Sequence, residues 1–421
     1  MKPSFSLPML IILLVSALQL PAQVVKCKLS GTVINRDSKT LVLVPATEDP
    51  RFTGVHIPIT GNHFEYLLKI PVTEKYDLIF LDELEKGAWR EIGFFPETGT
   101  VEFRLNNDEA FDNNVISGGA LNDRMQQFSR REDSIFRPLT LPLSRQTDSL
   151  WQSGNYYSKK AALLHERLRK SSDEDENARI YRGLDSLERA GTLYTDQVSQ
   201  LIAGFDSIGR LKMYWENDYI RNHIDIHTYS ILCSEVLRYK TNRKNIDFPF
   251  INEIYPEFAG KFPSHPYTVK IKETLDAINN VKVGSRYVDF SAPVRDGRIV
   301  NVSREIEGKV ALIDLWASWC GPCRALSKRM IPVYEKYKSK GFVIVGVACE
   351  YRNTNAFDIA VKRDQYPWLN LVELDNKNSI WNKYNISGSG GCTYLIDARG
   401  IIVAIHPDAD ELDRLLGILL K

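Results

Sequence analysis

The sequence predicts a multidomain chain: an N-terminal antiparallel β-sandwich, a central helical region and a C-terminal α/β domain. Three observations predict it. At 421 residues the chain exceeds what one hydrophobic core ordinarily serves. Its pattern changes twice, from short alternating runs with frequent turns, to helical periodicity, to apolar runs alternating with helices. The composition is 43% apolar and 25% charged with a net charge of +1, which is globular and carries no broad basic footprint for nucleic acid. The expected division is a leader at 1–22, a sandwich at 23–118, a helical linker at 119–280 and the α/β domain at 281–421.

The leader comes first. Lys2 supplies a positive start, Leu7 to Leu20 an interrupted apolar run, and Pro21-Ala22 a small residue before Gln23. This reads as a secretory signal peptide cleaved near Ala22. The run is too short and broken for a membrane span. Lys26 stands before Cys27, where lipidation requires a small residue. The expectation is export to the periplasm or cell envelope, an oxidising compartment.

The sandwich follows from strand-like runs at 27–34, 40–44, 54–59, 63–70, 76–81 and 100–105. Asn35-Arg36-Asp37 and Gly61-Asn62 mark turns between them. Beyond 119 the periodicity lengthens. Leu187, Tyr194 and Leu201 recur every seven residues, predicting one helix over about 179–206. Leu150 to Leu168 and Ile271 to Ile278 also read as helical. Pro138 to Pro142 and Asn242 to Pro249 read as loops, and Phe248 to Pro266 as a packed connector.

The last domain carries the chemistry. Val310 to Ser318 reads as a buried strand and Arg324 to Met330 as a helix. Between them stands Trp319-Cys320-Gly321-Pro322-Cys323. Cys320 at the helix start meets unpaired backbone N–H groups, and the dipole there favours thiolate. Cys323, one turn on, is close enough to close a disulfide with it. Pro322 near the helix start loses little by lacking an N–H. Asp314 is a carboxylate in an apolar run, which demands a reason.

Leu312 to Arg324 resembles the active-site segment of thioredoxin and of the envelope thiol-disulfide oxidoreductases of the TlpA/ResA type. The resemblance covers about residues 281–421. It implies a thioredoxin-like fold, a Cys320–Cys323 redox disulfide, and a buried carboxylate at Asp314 that accepts the proton of Cys323. It also implies exported partner proteins with disulfides or thiols, a membrane-linked electron donor and no cofactor. Gly321-Pro322 resembles the reducing members. Residues 27–115 resemble the β-domain that precedes such domains in Bacteroidetes, with Gly284 to Phe290 as the entry to the last domain.

One departure concerns substrate binding. Members of the superfamily carry a cis-proline before the strand facing the active site. Counting back from Asp397 puts Gly391 there, with Cys392 next. A cis bond before glycine costs about 2.5–4 kcal/mol, so a trans, flexible loop is expected. Trp319, Gly321, Pro322, Gly391 and Cys392 are the candidate substrate-binding residues. In a thioredoxin-like sheet, as the resemblance implies, Cys349 and Cys392 fall on the strands flanking the active-site strand, as buried small residues or as auxiliary thiols. Cys27 and Cys233 have no assigned partner.

Two other classes compete. His223 and His227 stand four apart, a spacing that can hold a metal on a helix, though two surface or capping histidines is the plainer reading and no metal is assigned. Cys320 and Cys323 without the proline also suit zinc or copper. The other class is an envelope binding or assembly protein in which the thioredoxin-like part is accessory.

Overall fold

Alternating side chains build the N-terminal part as two sheets around shared apolar residues. The computed structural model describes residues 24–239, 245–386 and 390–421, so the expected leader at 1–22 lies outside the described residues. In chain order come β1 (Val25–Val33), β2 (Thr40–Pro45), α1 (Pro50–Thr53), β3 (Val55–Pro58) and β4 (His63–Ile70). Then follow β5 (Tyr76–Phe80), α2 (Leu81–Glu85), β6 (Ile92–Phe94), β7 (Gly99–Leu105) and β8 (Val115–Ser117). One sheet runs β4-β1-β7-β8 and the other β3-β2-β5-β6. Leu29, Phe64 and Val101 of the first meet Leu41, Leu78 and Phe94 of the second in one buried cluster.

One pairing departs from the antiparallel expectation: β1 and β7 run parallel. Between them the chain crosses to the other sheet and returns, the long connection that parallel pairing needs. β6 and β8 hold three residues each and are too short for alternation to reveal. Cys27 lies in β1 with its side chain in the core, and burial raises its thiol above the ordinary value.

Seven helices follow: α3 (Ala120–Gln152), α4 (Lys159–Lys170), α5 (Glu174–Arg189), α6 (Asp196–Asn222), α7 (Ile226–Arg238), α8 (Phe248–Lys261) and α9 (Pro266–Asn280). Three sequence expectations need correction here. Pro138 and Pro142 lie inside α3, not in a loop. Both are exposed, so water reaches the carbonyls they leave unbonded. The helix expected over 150–168 is broken at 153–158, where Gly154 takes φ +73° and Ser158 caps α4. The helix expected over 179–206 is two helices, because Gly191 takes φ +68° and the Thr195 side chain caps α6. The connector after Phe248 is α8, with Pro249 in its first turn and Pro256 inside; residues 242–244 of the expected loop lie outside the described residues.

Side-chain bonds tie the sheets to the helices. Asn122 of α3 accepts from Phe95 N and donates to Phe95 O, each at 2.8 Å. The Tyr267 hydroxyl of α9 accepts from Lys75 N at 2.6 Å, and His265 bonds Thr73 O at 3.0 Å.

The last part holds β9 (Ser291–Pro293), β10 (Ile299–Asn301), α10 (Val302–Ile306), β11 (Val310–Trp316), α11 (Gly321–Tyr337) and β12 (Phe342–Glu350). It continues with α12 (Asn355–Asp364), β13 (Leu369–Leu374), α13 (Ile380–Lys383), β14 (Cys392–Ile396), β15 (Ile402–Ile405) and α14 (Ala409–Leu419). The five strands run β13-β12-β11-β14-β15. β11 is buried along its whole length, parallel to β12 and antiparallel to β14. Ile313 and Leu315 point to one core, and Leu312 and Trp316 to the other, which α11 and α14 cover. The central strand therefore ends in the middle of the sheet, and α11 starts just beyond it.

Candidate active site

The turn after β11 sets the two cysteines. Cys320 is the N-cap of α11, with extended backbone at φ −83° and ψ 92°. Its sulfur accepts from Cys323 N at 3.3 Å, so the open end of the helix is aimed at that atom. Cys320 and Cys323 are joined in a disulfide, with Cα atoms 5.3 Å apart. Both are half-buried, while Trp319, Gly321 and Pro322 between and before them are exposed.

Behind the pair lies Asp314, 3% exposed. Burial pushes its carboxyl up to about 6, against the pull of the Ser327 hydroxyl. That hydroxyl donates to Asp314 Oδ2 at 2.7 Å from one helical turn beyond Cys323. Arg324, next to Cys323, makes a two-pronged pair with the buried Asp364, both contacts at 2.7 Å. These bonds fix the first turn of α11 against the sheet.

A second buried carboxylate was missed in the sequence. Glu350, at the end of β12, accepts from Ser318 N at 2.9 Å and from Ser318 Oγ at 2.8 Å. It therefore pins the turn that leads into Cys320. Burial raises its carboxyl, and the two Ser318 bonds oppose the rise. The signal was available: a glutamate closing the run Val345 to Cys349 poses the same question as Asp314.

Gly391 lies across from the disulfide. Cys392 pairs with Leu315 in the antiparallel ladder, which brings Gly391 against the last residues of β11. A Cβ on Gly391 would collide with the Leu315 carbonyl oxygen and reach 3.1 Å from Cys323 Sγ. Among the described residues there is no cis peptide bond. Gly391 is thus packed rather than loose, and residues 387–389 before it lie outside the described residues.

β11 lies between the strands of Cys349 and Cys392. Two strand spacings, roughly 10 Å, separate the backbones of those residues, beyond the Cα separation of about 4.4–6.8 Å that a disulfide spans. Burial, with Glu373 next, pushes the Cys349 thiol up to about 12, the behaviour of a core residue. Cys233 is likewise buried at about 12. Trp316 is fully buried against Tyr366, whereas Trp319 stays 42% exposed and stacks on Tyr351 with centroids 5.7 Å apart.

The histidine spacing does not make a site. His223 ends α6, Asp225 caps α7, and His227 sits among the rings of Phe95, Phe128 and Tyr219. Burial pushes His227 down to about 4. Among the described residues no three His, Cys, Asp or Glu side chains are grouped to hold a metal. A cleft in the N-terminal part is lined by Arg36, Asp82 and Asp108, far along the chain from the cysteines, and its arginine is already paired with both acids.

A half-exposed disulfide at a helix start, on the central strand of a mixed sheet and backed by a buried carboxylate, defines a thioredoxin-like dithiol domain. Sequence comparison with known proteins agrees. The AhpC/TSA family model matches residues 283–405. The thiol-disulfide oxidoreductase ResA of Oceanobacillus iheyensis is 34% identical over 154 residues, covering 34% of this chain and 77% of that protein. The thiol:disulfide interchange protein DsbE of Pseudomonas fluorescens biotype C is 32% identical over 126 residues, 28% of this chain and 64% of that one. A solved thioredoxin domain of a Bacteroides vulgatus thiol-disulfide oxidoreductase is 26% identical, covers 33% of this chain and 99% of that one, and has a TM-score of 0.31. The chain belongs to the TlpA/ResA-like family of the thioredoxin superfamily.

Proposed function

We propose that this chain is an exported protein-disulfide oxidoreductase that reduces disulfides of envelope proteins through Cys320 and Cys323. The observation that carries the reading is the bonded pair at the start of α11, half-exposed beside Gly391. In the reduced enzyme the Cys320 thiolate attacks one sulfur of a substrate disulfide. A Cys320–substrate bond forms, the substrate S–S bond breaks, and the departing sulfur takes up a proton. Asp314, directly or through water, accepts the Cys323 proton, and the Cys323 thiolate attacks Cys320. The second substrate thiol leaves and the enzyme disulfide remains. A membrane-linked donor returns two electrons and two protons.

Trp319, Gly321, Pro322, Gly391 and Cys392 line the substrate side in this reading. Residues 23–118 act as a sandwich, 119–280 as a linker and 281–421 as the catalytic domain, after a signal peptide at 1–22 is removed. No helix among the described residues is long and apolar enough to cross a membrane.

Trapping tests the proposal. With Cys323→Ser the mixed disulfide has no internal resolving thiol, so envelope proteins are expected to remain bound through Cys320. Cys320→Ser is expected to abolish both trapping and turnover. Full physiological function in both variants would instead support an accessory thioredoxin-like domain on a binding protein.

A further inference from the structure

The redox pair borders a surface to which the N-terminal part contributes. Trp319 stacks on Tyr351 at 5.7 Å and 19°. Tyr351 in turn packs on Phe52 of α1 at 5.1 Å. The guanidinium of Arg51 lies 4.8 Å from the Tyr351 ring centroid. Asp49, the cap of α1, holds that guanidinium through Nε at 2.8 Å. A ring on the loop after β12, a ring beside the cysteine and a ring from a different sheet thus form one continuous shelf.

Three features separate this shelf from ordinary packing between parts of the chain. Trp319 is 42% exposed, and Arg51, Phe52 and Tyr351 are each half-buried rather than enclosed. The shelf begins at the residue preceding Cys320. Its cation is already matched by Asp49 and stacked on a ring, so the shelf offers aromatic faces rather than an open charge.

We propose that Arg51 and Phe52 determine which substrate reaches Cys320, by seating a large apolar or aromatic side chain of an extended polypeptide. This rests on the exchange reaction proposed above. Two ring-to-ring steps carry the shelf on the order of 10 Å from Trp319, so a span from Cys320 itself is roughly four residues of extended chain. The occupant is therefore a protein segment with an aromatic or large aliphatic residue about four positions from its reactive cysteine, an even spacing that keeps both side chains on the face toward the enzyme. α1 owes its placement to a Pro50 start and an Asp49 cap, which hold a four-residue helix at the edge of β2 and β3.

The test uses the full-length reduced enzyme and three substrates. Two are mixed disulfides of synthetic peptides that differ only in Phe or Ala four residues from the cysteine. The third is a small aromatic disulfide. The wild type is expected to prefer the Phe peptide over the Ala peptide by about tenfold in kcat/KM, mainly through KM. Phe52→Ala is expected to lower the ratio of Phe-peptide to small-disulfide kcat/KM by about tenfold, with recovery in Phe52→Tyr. A ratio within twofold of wild type overturns the proposal, including the case in which both rates fall together. If Phe52→Ala does not fold, Phe52→Leu and Arg51→Ala carry the same comparison. A wild type that exchanges with none of the three refutes the enzyme reading itself, which is a different result from an unselective enzyme.

Discussion

Asp314 has two consequences, one for stability and one for rate, and both follow from its burial. Its carboxyl is raised from an ordinary 3.8 to about 6. The folded state therefore holds the proton more tightly than the unfolded chain does. Stability falls as pH rises from about 3.8 to about 6, and stays low above that. Two units correspond to about 3 kcal/mol as an upper bound. Asp314→Asn removes this penalty while leaving Ser327 an acceptor. The variant is expected to unfold at a higher temperature than wild type at pH 8, with the difference shrinking toward pH 4. If Asp314 accepts the Cys323 proton, resolution of the mixed disulfide slows on the order of 10²-fold at pH 7 and loses the limb that rises through about pH 6. Stopped-flow release of a fluorescent substrate thiol reads that limb. An unchanged pH profile removes Asp314 from the mechanism.

At the scale of elements, register decides what meets the disulfide. The pairing of Leu315 with Cys392 puts Gly391 so close to β11 that any side chain must displace the start of β14. Gly391→Ala is expected to cost about 1–3 kcal/mol, from overpacking, and to change the rate at which dithiothreitol opens Cys320–Cys323. Gly391→Pro brings ring carbons to the same place and is expected to act in the same direction. Unaltered melting and reduction would show that β14 shifts freely. The sequence exposes the dithiol, Asp314, the central strand and the Gly391 position, because a motif and an apolar run are local. It also exposes six of the eight N-terminal strands. It hides Glu350, whose partner Ser318 stands 32 residues away, and it hides the contact of Phe52 with Tyr351. The first contact depends on how neighbouring strands align in one sheet, the second on how the N-terminal sheets meet the last domain. The helical errors have a different origin. Apolar spacing continued across Gly191 and Thr195, where backbone conformation and capping end one helix and start the next. Pro138 and Pro142 read as breaks, yet exposure lets α3 run through them.

Across the whole molecule, buried acids make stability depend on pH, and one cluster lies where the sheets meet the helices. Residues 73–75 bond to that junction: Thr73 O to His265, and Lys75 N to Tyr267. Glu74 lies between them, 8% exposed. Burial pushes its carboxyl up to about 7, with Glu48 adding to the rise and Lys270 opposing it. Glu216 is raised to about 7 and Asp77 to about 6, each mainly by burial. For all three, and for Asp314, the folded value exceeds the unfolded one. Each contribution is therefore lost as pH climbs from near 4 to the folded value. His227 opposes them: burial lowers it to about 4, so its contribution is lost as pH falls from about 6.5. Burial also raises Glu235, Glu350 and Glu373 and lowers His165, His265 and His406, so among the described residues seven raised acids stand against four lowered histidines between pH 8 and pH 5.5. Unfolding is thus expected at a higher temperature at pH 5.5 than at pH 8, by roughly a few kcal/mol in stability. Glu74→Gln should narrow that gap and slow hydrogen exchange at the Lys75 amide at pH 8, because the junction no longer carries a buried charge. A melting temperature that rises from pH 5.5 to pH 8 would mean that these carboxyls relax toward water, and that the junction opens far more readily than its bonds to His265 and Tyr267 imply.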